Sequence, residues 1–462
     1  MKAISFVAKH PRTAALRALN YTPEIEKIRA ARKGRSVPLR DLLLRMGPAY
    51  GTVFTRKDCA PERGIELLSQ SDMFASEPRG RIIRRDSMGN PDAHEIARFD
   101  VLVAGAGTLG ENELYGRSII ADRRLAGKYV GPDAMSLVFE EPGSDISLFA
   151  YAFLASPTGV RAIRSTSYGT KILRFRDDLF GTLPIPLVSN EATSRVASLV
   201  RATIKDRELY DEKLRSARAV VDQLQDIQAA KEMVTDRRIS AVIWDGALDT
   251  ISAWNFASTR GAFSHLSSAW KFRLRDAIKD GGAFNGPRFS RIECDRPYGI
   301  DFMSQRDVFL MRPVPRRIAR PAIPDRQLLV PSNAILAGSH GQLSEGSLFG
   351  KVELASHLGD KCGVTQDILR LLPREGHRAV AYTFLSTAVG QALLKSTAVG
   401  TSIPSVRLDL LLKLPYPTLS STDARLVDSL TSDAELARMR ATASETEAIR
   451  IIEEEVLPEW LV

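Results

Sequence analysis

Two kinds of hydrophobic pattern divide this chain. From residue 36 to residue 188 the apolar residues come in short runs: Leu42 to Leu44, Ile65 to Leu68, Ile82-Ile83, Val101 to Val103, Ile119-Ile120 and Met135 to Phe139, cut by Gly, Pro, Asn and Asp. Such runs between turn residues predict short strands. Ser147 to Ser156 and Thr158 to Ser165 then predict two short helices, followed by a Gly-Thr loop and an extended Leu183 to Leu187. From Glu191 to about Val234 there is neither Gly nor Pro, and Val196, Val200, Thr203, Tyr210, Leu214, Ala217, Val221, Leu224 and Gln228 step mostly by three, four or seven. That spacing predicts one long amphipathic helix. A segment of the same kind ends the sequence, with Val427, Leu430, Ala434, Ala437, Ala441, Ser444, Ala448 and Ile451 on one seam. Small residues there let a partner helix approach closely.

The pattern occurs twice because the sequence does. Tyr151-Ala152-Phe153-Leu154 to Pro186 is answered by Tyr382-Thr383-Phe384-Leu385 to Pro417, with Gly159/Gly390, Ser165/Ser396, Thr166/Thr397, Gly169/Gly400, Thr170/Thr401 and Pro184/Pro415 all at one offset, 382 − 151 = 231. Further upstream Leu39-Arg40-Asp41 matches Leu274-Arg275-Asp276, Cys59 matches Cys294, and Ser69-Gln70 matches Ser304-Gln305. Between these blocks Ala104-Gly105 matches Ala337-Gly338, and Tyr115-Gly116 matches Phe349-Gly350. The offset drifts by a few residues, as small loop insertions require. The expected fold is α+β: two duplicated domains separated by two long antiparallel, coiled-coil-like helices. The boundaries that follow are a basic segment at 1–35 with a short helix near Pro23 to Lys33, a first domain at 36–188, a helix at 189–235, a connector at 236–270, a second domain at 271–418 and a second helix at 419–458. The connector holds three of the four tryptophans and is expected to pack the second domain against the end of the first helix.

Composition narrows the chemistry. With 64 Lys+Arg against 55 Asp+Glu the chain carries +9, which favours a polyanionic partner such as nucleic acid. Three cysteines without a CxxC or a Cys/His cluster make neither a disulfide framework nor a zinc site. No apolar run nears the roughly 20 residues of a membrane span, and Lys9, His10 and Pro11 break the only early apolar stretch. A cytoplasmic location is expected.

One motif invites a cofactor. Phe99 to Gly110 reads FDVLVAGAGTLG, an apolar strand running into GxGxxG, with Asp122 downstream where a dinucleotide fold places a ribose ligand. The second copy keeps Ala337-Gly338 but loses the spacing, and the segment after Gly110 is too short for a crossover helix. A turn joining two strands is the expected role, and no cofactor is expected. The sequence has no Walker A loop, no HExxH and no Asn/Asp-Pro-Pro-aromatic tetrad of an amino-methyltransferase. A non-catalytic protein is expected. A nucleotide-cofactor enzyme built on Gly105 to Gly110, or a duplicated scaffold that reads no DNA, are the alternatives.

The FDVLVAGAGTLG stretch, the YAFLxSxxG helix, the Gly-Thr loops and the Leu-Pro-Ile-Pro-Leu run, in that order and largely repeated, resemble the DNA-specificity subunit of type I restriction-modification systems, or a related phage-defence methylation system. The resemblance covers roughly residues 36–234 and 271–456. It implies that each domain reads one half of a split double-stranded DNA target. It also implies that partner DNA methyltransferase subunits, two of them, bind along the helices, with a restriction or translocase subunit where cleavage belongs to the system. Base reading needs Arg or Lys for guanine and Asn or Gln for adenine, among contacts that only position the protein. The candidates in the first domain are Gln70, Thr108, Ser167, Tyr168, Thr170, Lys171 and Arg174, with Gly169 setting a backbone angle. In the second they are Gln305, Arg306, Ser339, His340, Gln342, Thr401 and Ser402, with Gly400 in the place of Gly169.

Overall fold

The computed structural model describes residues 22–30, 35–47, 54–110, 113–235, 255, 259–295, 297–344, 346–359 and 361–461. Most of the basic N-terminal segment and much of the connector, with Trp244 and Trp254, lie outside the described residues. The chain divides into two compact units, Met1–Glu208 with Arg440–Val462, and Leu209–Met439.

In the first unit the apolar runs become an antiparallel sheet in the order Leu43–Gly47, Ala134–Phe139, Val101–Ala104, Ser118–Ile120. Val101 to Ala104 are wholly buried, as a central strand covered on both faces must be. A smaller sheet sets Gly64–Leu68 antiparallel to Arg81–Arg84 and parallel to Tyr129–Val130. The helices Asp145–Ala155 and Pro157–Arg164 pack their apolar residues with Val101 and Val103 in one core. They meet at a bend of 78°, where Ser156 ends one and caps the next by accepting from the Gly159 amide at 3.0 Å. The repeated glycine is explained here. A Cβ on Gly159 would lie 1.9 Å from the Phe153 carbonyl oxygen.

The second unit repeats this plan. Its four-stranded sheet runs Ile278–Asn285, Ile368–Pro373, Ile335–Gly338, Val352–Leu354, and its smaller sheet again joins one antiparallel and one parallel pair, with Ile300–Met303 between Arg316–Ile318 and Cys362–Val364. Ile335 and Ala337 face the core under the helices Arg378–Ser386 and Ala388–Lys395, while Leu336 faces a second core with Met303, Val308 and Val330. That alternation is the period of two. Gly390 repeats the close approach, with its Cβ position 2.0 Å from the Phe384 oxygen.

The long helices span Asn190–Asp222 and Ser421–Ile451, the latter continued by a π turn at Ile452–Val456. Within each unit they run antiparallel. In the first, Arg195 meets Glu455 at 2.8 Å and Asp206 meets Arg440 at 2.8 Å. In the second, Lys213 meets Asp433 at 2.9 Å and the Arg438 guanidinium lies 5.6 Å from the Tyr210 ring centre. The buried seam steps strictly by four and three: Val196, Val200, Thr203, Arg207, Tyr210, Leu214, Ala217, Val221 on one helix, and Val427, Thr431, Ala434, Arg438, Ala441, Glu445, Ala448, Ile452 on the other, none more than 3% exposed. Each position on the second helix is 231 residues beyond its counterpart, so the duplication extends through the helices.

The structure differs from the expected helices in two ways. Leu430 and Ser444, expected on the seam, are only half-buried, and Thr431 and Glu445 take their places. The first helix also breaks at Gln223-Leu224, and a separate helix, Gln225–Thr235, buries Ile227 and Ala230 with Ala262 and Leu266 of the helix Thr259–Ala269. Trp270 donates to Asp226 at 3.0 Å and fixes this junction. No Gly or Pro marks the break, because tertiary packing sets it. Among the described residues no single helix is long and apolar enough to cross a membrane.

Candidate nucleic-acid interface

Each unit builds the same hairpin from corresponding residues. In the first, Ser167–Tyr168 pairs with Leu173–Phe175, and Leu173 and Arg174 pair in turn with Gly107 and Ala106. The glycine-rich run therefore passes from the strand Val101–Ala104 into a second strand, where a dinucleotide fold would begin a helix. Asp122, the expected ribose ligand of that alternative, is fully buried against Arg124 at 2.7 Å, and Arg124 also donates to the Ser76 carbonyl at 3.0 Å. In the second unit Ala398–Val399 pairs with Ser405–Val406, and the Gly341 amide donates to the Pro404 carbonyl at 3.1 Å, joining the corresponding loop to the hairpin.

The base of the hairpin is rigid. Ser165 and Thr166 donate their hydroxyls to the Ala162 and Ile163 carbonyls at 2.7 and 2.8 Å, and Ser396 and Thr397 do the same to Leu393 and Leu394 at 2.7 Å each. The repeated Ser-Thr pair thus caps the end of a helix. Phe175 stacks on Tyr115 at 4.8 Å and on Phe180 at 5.3 Å. Arg164 donates to the Tyr115 and Glu113 carbonyls at 2.8 and 3.0 Å, and Lys395, its counterpart, reaches the Ser344 carbonyl at 3.4 Å. Gly169 and Gly400 turn the tips with φ of 95° and 104°, a region costly for any residue with a Cβ.

The expected site residues separate into two groups on this platform. Thr108, Tyr168, Gly169, Thr170 and Lys171 are exposed together at the first tip, and Gln342, Gly400, Thr401 and Ser402 at the second. The others are held by the protein itself. Gln70 clamps Ala106 from both sides, donating to its carbonyl at 2.5 Å and accepting from its amide at 3.3 Å, and Gln305 donates to the His340 carbonyl at 2.9 Å. Ser167 is buried between the Tyr115 hydroxyl at 2.6 Å and the Arg164 carbonyl at 2.5 Å. Arg174 meets Asp133 at 3.2 Å, and Arg306 lies 3.5 Å from Asp307. Ser339 is buried, donating to the Asp367 carbonyl at 2.9 Å and accepting from Asn285 at 2.7 Å, with the His340 ring at 3.0 Å. These residues shape the platform, and the tips carry the exposed chemistry.

The chain is similar to solved structures of type I specificity subunits. The S subunit of a type I restriction-modification system from M. genitalium matches at 14% identity and a TM-score of 0.28, over 93% of this chain and 96% of that one. The HsdS subunit from Thermoanaerobacter tengcongensis matches at 17% identity and 0.27, over 92% and 96%. A structure described as the basis of complex assembly and conformational transition of the type I system matches at 16% and 0.27, over 92% and 97%. No family model and no curated protein matches the chain.

Two tip residues escape the sequence reading. Ile172 and Ile403 are 60% and 71% exposed. The signal was present, since they too are separated by 231, but a search for hydrogen-bonding side chains passes over them.

Proposed function

We propose that the chain is a non-catalytic DNA-specificity subunit that directs a partner DNA methyltransferase, and in a restriction system a nuclease, to a bipartite target, one half-site per unit. The observation that carries this is the pair of tips. Both stand on the same scaffold with the same Gly-Thr turn, yet the side chains around it differ: Thr108 against Gln342, exposed Tyr168 against half-buried Val399, Lys171 against Ser402. Two readers of unlike half-sites need this combination of common frame and divergent edge. The net charge of +9 suits phosphate contacts that position without specifying. The long helices supply the docking surface for two modification subunits. On the second of them Leu426, Leu436 and Met439 are 46%, 53% and 51% exposed, the last two one turn apart on the helix.

The test is co-expression with the modification subunits and sequencing of methylated bases in the host genome with and without this chain. A split motif with two unlike halves, methylated only when the chain is present, is the expected result. An unchanged methylation pattern would overturn the methylation-guiding role.

A further inference from the structure

A single exposed isoleucine needs no explanation. The same isoleucine at both tips does. Ile172 and Ile403 hold one position in copies that differ on either side of it, Lys171 and Leu173 in the first, Ser402 and Pro404 in the second. Their exposure is not that of a slack loop, because the residue that follows each is buried and the strands behind are paired. Each unit thus holds an exposed apolar group at the turn of a paired hairpin, beside the exposed hydroxyl-bearing Thr170 or Thr401.

Resting on the DNA-reading role above, we propose that Ile172 and Ile403 each make the apolar base contact of their half-site, against the C5-methyl group of a thymine in the major groove. The major groove, about 12 Å wide, admits a two-stranded ribbon, and the minor groove at about 6 Å does not. On the major-groove edge of the four base pairs the thymine methyl is the apolar feature. An aliphatic side chain there recognises thymine without a hydrogen bond, while Thr170 and Thr401, two residues back on the same turns, offer hydroxyls to neighbouring edges or phosphates. Lys171, between Thr170 and Ile172, adds a cation to the first tip that the second lacks.

The experiment is selection of bound duplexes from two random pools, one made with thymine and one with uracil, by the full-length chain with whatever subunits co-purify. The wild type is expected to enrich one thymine-bearing position in each half-site from the first pool. At those positions preference should fall roughly fourfold in the uracil pool, the worth of one buried methyl group. Ile172→Ala should relax that position in one half-site only, and Ile403→Ala in the other, with the remaining motif intact. Equal enrichment from both pools, or variants that select the wild-type motif unchanged, overturns the thymine contact while leaving the DNA-reading role standing. A wild type that enriches nothing from either pool removes the DNA-reading role and this contact with it. The uracil pool needs no variant, so the test holds even where a substitution disturbs folding.

Discussion

Arg207 on the first long helix donates to Glu445 on the second at 2.7 Å, both at most 3% exposed, and the Tyr151 hydroxyl completes the group by donating to the same carboxylate. Burial alone would lower the Arg207 pKa, but Glu445, Tyr151 and Asp122 raise it above the ordinary value. The repeat carries Arg207 to Arg438 and Tyr151 to Tyr382, but Glu445 falls opposite Leu214. The second unit finds its carboxylate elsewhere, with Glu353 lying 3.1 Å from Arg438. Among the otherwise uncharged seam residues of the first unit, this buried ion pair is expected to fix helix register, because a slip would leave each charge without a partner.

Glu445→Ala should therefore destabilise the first unit by about 3–5 kcal/mol, the cost of stranding a buried guanidinium. Replacing both partners, Arg207→Met with Glu445→Leu, should recover most of that. Urea unfolding of the three variants checks it, and a double variant as unstable as the single one would refute the register role.

Gly159→Ala and Gly390→Ala should each destabilise by more than about 2 kcal/mol, since the added Cβ would collide with a backbone oxygen that cannot move without reopening the bend between two buried helices. Gly281→Ala, where nothing lies within 4 Å but φ is 67°, should cost less. Thermal unfolding ranks the three.

His94 is 3% exposed, and its Nδ1 donates to the Val130 carbonyl at 3.0 Å. Burial lowers its pKa below the ordinary 6.5, with Arg45 adding to the effect and the Val130 bond opposing it. The neutral ring is the folded form. Its stabilisation is complete above about pH 6.5 and is lost as pH falls toward the depressed folded value. The urea midpoint of the wild type should fall between pH 7 and pH 5, and His94→Gln should flatten that slope.

Leu436→Glu with Met439→Glu should abolish co-purification of a modification subunit while changing the unfolding free energy by no more than about 0.5 kcal/mol, because both side chains are about half exposed. Retained co-purification would move the docking surface off this helix.

Lys171→Ala should weaken DNA binding, relax the preference of the first half-site only, and, with one cation fewer near the backbone, reduce the slope of log K against log salt by up to about 0.9. Ser402→Ala, at the matching place, should leave the slope unchanged. Titration at four salt concentrations distinguishes the two.

The strands were legible from the apolar runs: Val101 to Val103, Ile119-Ile120 and Met135 to Phe139 all lie in the first sheet, because burial on both faces demands continuous apolar stretches. The repeat was legible as well, since equal spacing of identical residues survives in one dimension. Arg207, Arg438 and Glu445 were not legible as core. Their charge argues for solvent, and the partners that permit their burial lie on other elements, at least 85 residues away in sequence. The helix break at Gln223-Leu224 left no local signal either, for its cause is the packing of Ile227 and Ala230 on a helix more than thirty residues further along.

The sequence by itself determined the two-copy plan, the element types and the Gly-Thr tips, which depend on local spacing and on backbone angles that only certain residues tolerate. Only the tertiary structure decided which polar residues remain at the surface. Gln70, Ser167, Gln305 and Ser339 look like readers in one dimension, but buried backbone groups of the hairpin platform require partners, and these side chains supply them.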